Sequence, residues 1–174
     1  MDITFFIGLL GSLLLVTGSA WPDTRVEHPA KSEKNWLFAT GALFMLIYAS
    51  LNYFAGGEVF FIFLQVLANF SSVLMLSNVR ENTATPLVVG AGVFLLIWSL
   101  TLLKEPNTIF FILGLTGIAY GYVMPAATLR RNLALTLGSL LIAIFSYITG
   151  TWIFFWLNCF FALFSGYYTW KVRK

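Results

Sequence analysis

The chain has 174 residues, of which 59% are hydrophobic, 18% aromatic and only 10% charged, with a mean hydropathy of +0.86. A soluble domain carries roughly a quarter of its residues as Asp, Glu, Lys or Arg, so ten basic and seven acidic residues are too few to clothe a water-facing surface. This excludes an ordinary soluble enzyme, a disordered chain and, at a net charge of +3, a basic nucleic-acid-binding module.

The charges fall in short clusters separated by uncharged runs: Ile3–Pro22, Asn35–Gly57, Val59–Val79, Asn82–Leu103, Pro106–Leu129 and Asn132–Trp170. About 20 helical residues cross a hydrocarbon core of roughly 30 Å. The first five runs are therefore each read as one span. The sixth, 39 residues long, fits two, hinged at Tyr147-Ile148-Thr149-Gly150-Thr151 where Gly supports a tight turn. The runs are continuously apolar and do not alternate with a period of two, which predicts helices and not a barrel. The expected fold is all-α, a polytopic membrane bundle of seven transmembrane helices.

The first run has Asp2 and no basic residue before it, and Gly18-Ser19-Ala20-Trp21-Pro22 is a poor cleavage site. It is read as a retained span, not a signal peptide. With seven spans, one face collects Arg25, Lys31, Lys34, Arg80, Arg130, Arg131, Lys171, Arg173 and Lys174, and the other only Lys104. This bias places the N-terminus outside and the C-terminus in the cytoplasm, as expected for a bacterial inner (plasma) membrane protein. Trp21, Trp36, Trp152 and Trp170 fall at span ends as interface anchors, whereas Trp98 and Trp156 sit deeper. The single cysteine, Cys159, lies in the last run, so no disulfide framework or thiol metal site is expected.

Three collinear offsets suggest an internal repeat. At an offset of 103, Gly11, Gly18 and Pro22 fall on Gly114, Gly121 and Pro125. At 97, Gly41 meets Gly138 and Tyr48 meets Phe145; at 93, Gln65 meets Asn158 and Ser72 meets Ser165. Two copies of a three-helix unit in the same orientation need one extra crossing to join them. The expected organisation is thus 1–79 as the first three-helix repeat, 80–105 as a linker helix and 106–174 as the second repeat, a 3+1+3 plan with parallel repeats. Parallel-repeat transporters place their substrate sites near the midplane at the repeat interface.

On these features the chain resembles the SWEET, SemiSWEET and PQ-loop group of small transporters. The resembling residues are Pro22 and Pro125, the Met45-Leu46-Ile47-Tyr48-Ala49 segment, and one amide in the last helix of each triplet, Gln65 and Asn158. The resemblance implies prolines that act as hinges and amides that face a central solute pocket. The chain departs from the family pattern where Asp23 and Ala126 follow the prolines in place of Gln, and where Met45 and Ala49 stand in place of Trp and Gly. The second copy reads Phe145-Ser146 where Tyr-Gly is expected. The plan is also similar to nicotinamide riboside transporters (PnuC-type) and to a bacterial inner-membrane family (YgjV-type).

Candidate site residues follow from placement. Gln65, Asn69 and Ser72 share one helix face at i, i+4 and i+7, and Asn158, Ala162 and Ser165 repeat that spacing. Buried amides need partners, so these positions serve either helix–helix hydrogen bonding or a polar floor for a solute. The expected substrate-binding set is Asn158, Gln65 and Asn69, walled by Trp156 and Tyr48, with Pro22 and Pro125 as hinges; Gly11, Gly18, Gly114 and Gly121 are read as close-packing sites. No charged residue or His lies within a predicted span, which speaks against proton relays and cation pathways. The sole histidine, His28, is in a charged loop, and no catalytic or phosphate-binding motif is present. The sequence therefore reads as a facilitative transporter of a small neutral or polar solute, sugar-like as first choice, working by alternating access. No enzyme activity, metal, cofactor or nucleic-acid partner is expected; the partners are the bilayer, the solute and, as a common oligomer, a homodimer. The alternatives are a vitamin- or nucleoside-type transporter, a non-transporting membrane scaffold and, least supported, an ion channel.

Overall fold

A computed structural model describes residues 2–21, 28–125 and 128–173; of Glu81, Val172 and Arg173 only the backbone is described. These residues form seven α-helices and one short 3-10 helix: α1 Ile3–Ala20, the 3-10 turn Pro29–Lys31, α2 Glu33–Phe54, α3 Phe60–Leu76, α4 Glu81–Thr101, α5 Thr108–Val123, α6 Leu129–Ile148 and α7 Trp152–Arg173. There is no strand among the described residues. Four helices, α1, α2, α4 and α6, are long and apolar enough to cross a membrane.

The helix ends are set by local chemistry. Asp2 caps α1 by accepting from the Thr4 amide at 3.2 Å, and Thr128 caps α6 by accepting from the Arg131 amide at 3.3 Å. Asn78 closes α3 at φ 51°, a left-handed conformation that Asn tolerates better than most residues. α5 stops at Met124, whose ψ of 145° is the extended backbone imposed on a residue preceding proline, here Pro125. These stops trim the apolar runs, so α3 and α5 have 17 and 16 residues, about 25 Å of helix each against a hydrocarbon core of roughly 30 Å. The long last run breaks between Ile148 and Trp152, with Gly150 at φ 68°. That is the stretch the sequence marks for a turn, and Gly adopts its conformation without the Cβ clash other residues suffer.

The chain divides into two compact units, Met1–Ala84 and Thr85–Lys174. In the first, α2 packs against both α1 and α3, and the 3-10 turn rests on α2 and α3; in the second, α6 packs against both α5 and α7. Most of α4 belongs to the second unit, where the absence of a side chain at Gly92 admits Ala119 of α5: a Cβ there would lie 3.2 Å from that of Ala119. α4 continues through Pro86, which gives up one intrahelical donor.

Both α1–α2 and α5–α6 are close backbone contacts built on glycine. A Cβ on Gly41 would meet the Leu15 nitrogen at 2.9 Å and the Gly11 carbonyl oxygen at 3.1 Å; on Gly138 it would meet the Ile118 nitrogen at 2.9 Å and the Gly114 carbonyl oxygen at 2.8 Å. The partners correspond at the offsets found in sequence, since Leu15 and Ile118 differ by 103 and Gly41 and Gly138 by 97. The reciprocal contacts agree as well. Gly11 faces Met45 as Gly114 faces Ile142, and Gly18 faces Phe38 as Gly121 faces Leu135. The two seams are thus assembled from matched positions, although Met45 and Ile142 or Phe38 and Leu135 are different residues. Outside the seams, the helices expose Leu, Ile, Val and Phe freely: Leu13, Phe94, Ile97, Leu137 and Leu163 are all more than half exposed. That surface suits a lipid solvent and would associate in water.

Candidate functional site

The candidate polar residues sit on the last helix of each unit and are described unit by unit. In the first, Gln65 is only 2% exposed on α3, among the buried residues Phe61, Leu64 and Leu67 of the same helix. Its side-chain carbonyl oxygen, Oε1, is buried and has no hydrogen-bond partner. A buried amide acceptor left unmade costs about 1–3 kcal/mol; in the same unit the Asn52 Nδ2 and the Ser71 hydroxyl are also buried without a partner.

Asn69, one turn on, has its donors spoken for. Its Nδ2 donates to the Ala42 carbonyl of α2 and to the Gln65 backbone carbonyl, both at 2.8 Å. The first of these bonds crosses from α3 to the backbone of α2. Ser72 turns its hydroxyl back to the Ala68 carbonyl at 2.8 Å, a common resolution for Ser inside a helix. Tyr48 is buried on α2, on the same helix face as Met45.

In the second unit, Asn158 is 4% exposed on α7 and its Nδ2 donates to the Phe154 carbonyl at 2.8 Å, within its own helix. No amide corresponds to Asn69 there: the matched position is Ala162, buried, and the residue matched to Ala42 is Ser139, also buried. Trp156 is 58% exposed, turned about 200° around α7 from Asn158. It stacks edge-on with Phe155 at 5.1 Å, and Phe155 in turn contacts Tyr147 and Trp152. The ring therefore extends an exposed aromatic cluster at the α6–α7 turn, with no part in walling Asn158. Phe145, the counterpart of Tyr48, packs against Phe111 at 5.5 Å.

Of the two hinge candidates, Pro125 is exposed one residue beyond α5's C-cap, with its carbonyl accepting from the Thr128 hydroxyl at 2.9 Å. Pro22 lies outside the described residues. The sequence reading assigned no role to the buried hydroxyls Ser99 and Ser146, each bonded to the carbonyl four residues back; position within an apolar run was their only signal. Among the described residues, no group of three or more His, Cys, Asp or Glu side chains gathers as a metal site would require. What the arrangement offers chemically is neutral: amide and hydroxyl groups in apolar surroundings, suited to hydrogen bonding.

Comparison with protein-family models, curated proteins and solved structures gave no match.

Proposed function

We propose that the chain is a seven-span membrane transporter that passes a small neutral polar solute down its gradient by alternating access, each triplet contributing one amide-bearing helix. The observation that carries this reading is the burial of Gln65 and Asn158, one amide on the last helix of each triplet at matched positions, with the Gln65 carbonyl oxygen unpartnered. An acceptor kept dry and unmade is suited to an O–H or N–H donor supplied from outside the chain; the Ser71 hydroxyl of α3 is likewise buried without a partner. The matched glycine seams support a duplicated triplet, the arrangement that parallel-repeat transporters use. The uncharged helix interiors support uniport over proton coupling. The short α3 and α5 can span where the bilayer thins around them, at fractions of a kcal/mol per Å of mismatch. A sugar-like solute is the first candidate, a nucleoside-type vitamin the second, and the inner membrane of a bacterium the setting.

A scaffold without transport is the competing reading, favoured by one observation: Asn69 uses its amide to tie α3 to α2. Counterflow of labelled sugars, nucleosides and vitamins in proteoliposomes separates the two. The transporter reading expects saturable exchange that falls at least tenfold in both Gln65→Leu and Asn158→Ala while the variants remain folded. Exchange no greater than in empty liposomes across the whole panel supports the scaffold.

A further inference from the structure

The first unit also holds a cleft of about 450 Å³ that none of the amides enters. It opens between α1 and α2 at the end of the apolar runs, walled by Leu14, Trp21, Trp36 and Leu37, with Lys31 and Glu33 at its mouth. The mouth is built from fixed parts. The Trp36 indole nitrogen donates to the Ala30 carbonyl at 2.8 Å, and Asn35 Nδ2 donates to the Pro29 carbonyl at 2.9 Å. Those two bonds staple the Pro29–Lys31 turn onto the first turn of α2, so one cation and one anion are held two residues apart, both exposed.

The chemistry of an occupant follows from this layout. Indole and leucine walls at the boundary between hydrocarbon and headgroups suit an acyl chain and its glycerol end. Among the described residues that line it, the mouth carries one charge of each sign, which suits a headgroup that does the same. A purely anionic headgroup would meet Lys31 favourably and Glu33 unfavourably, and a small neutral solute gains nothing from either. We propose that this cleft binds one zwitterionic diacyl phospholipid, its phosphate at Lys31, its ammonium at Glu33 and one acyl chain between Trp21 and Trp36.

The test uses the purified full chain in detergent, with phosphatidylethanolamine, phosphatidylcholine and phosphatidylglycerol supplied in equal amounts and retained lipid counted by native mass spectrometry. One zwitterionic lipid per chain, at least fivefold over phosphatidylglycerol, is expected. Glu33→Gln should erase that preference, Glu33→Lys should turn it toward phosphatidylglycerol, and Trp36→Ala should lower retention of all three. Lys31 and Glu33 are exposed, so unchanged melting temperatures will show that the charge variants are folded. Retention of phosphatidylglycerol equal to or above the zwitterionic lipids by the unaltered chain, retention of no lipid, or a preference that survives Lys31→Gln with Glu33→Gln, overturns the proposal.

Discussion

Gln65 and Asn69 are one helical turn apart and differ sharply in how they are satisfied. Asn69 makes two bonds of 2.8 Å, one of them to another helix, whereas the Gln65 side-chain oxygen makes none. Replacing Asn69 by Leu should therefore loosen α3 from α2, at a cost of about 1–2 kcal/mol for an interhelical bond in a membrane protein. The fall should appear as a lower melting temperature in detergent. Gln65→Leu removes an unmade acceptor and should leave stability unchanged or raised. The sequence placed both amides on one face but could not divide them, because spacing carries no record of which backbone carbonyl comes within reach. Trp156 shows a related limit. Its depth in the apolar run suggested a pocket wall, but a displacement of two residues along a helix is enough to turn the ring from the buried face of Asn158 to the exposed aromatic cluster.

At the scale of elements, the glycines fall into two physical groups. A methyl at Gly41 or Gly138 would run into backbone atoms 2.8–3.1 Å away, which cannot move aside without separating two helices. Gly41→Ala and Gly138→Ala should each cost about 1–3 kcal/mol, the range for overpacking a close contact. Gly90, in α4, has nothing within 4 Å of the same methyl, so Gly90→Ala should be neutral or stabilise by up to about 1 kcal/mol through helix propensity. Thermal unfolding of the three variants in one detergent checks this contrast. Gly150 is a separate case, because its φ of 68° and not crowding is what demands glycine. Gly150→Val should destabilise the α6–α7 turn by about 1–2 kcal/mol, read in the same unfolding assay. The number of helices and the position of this turn were legible from charge gaps and one glycine. Their lengths were less so, since apolarity continues past the points where Pro125 and Asn78 stop α5 and α3.

The whole molecule consists of two units whose inner seams repeat position by position, while the residues filling them have diverged. Weak sequence matches at 103 and 97 were legible because glycine is hard to replace where backbones touch; Met45 against Ile142 was invisible because any apolar residue of suitable volume fills such a place. The amide-bearing faces follow the same logic with a functional question attached. The most direct measurement is the water accessibility of the matched amide positions in the membrane. In a Cys159→Ser background, Gln65→Cys and Asn158→Cys are treated with a membrane-impermeant thiol reagent, beside Phe61→Cys and Phe154→Cys at fully buried positions on the same two helices. A solute pathway predicts that positions 65 and 158 react at least tenfold faster than 61 and 154. Equal, negligible labelling at all four would contradict it and leave the amides as packing groups alone.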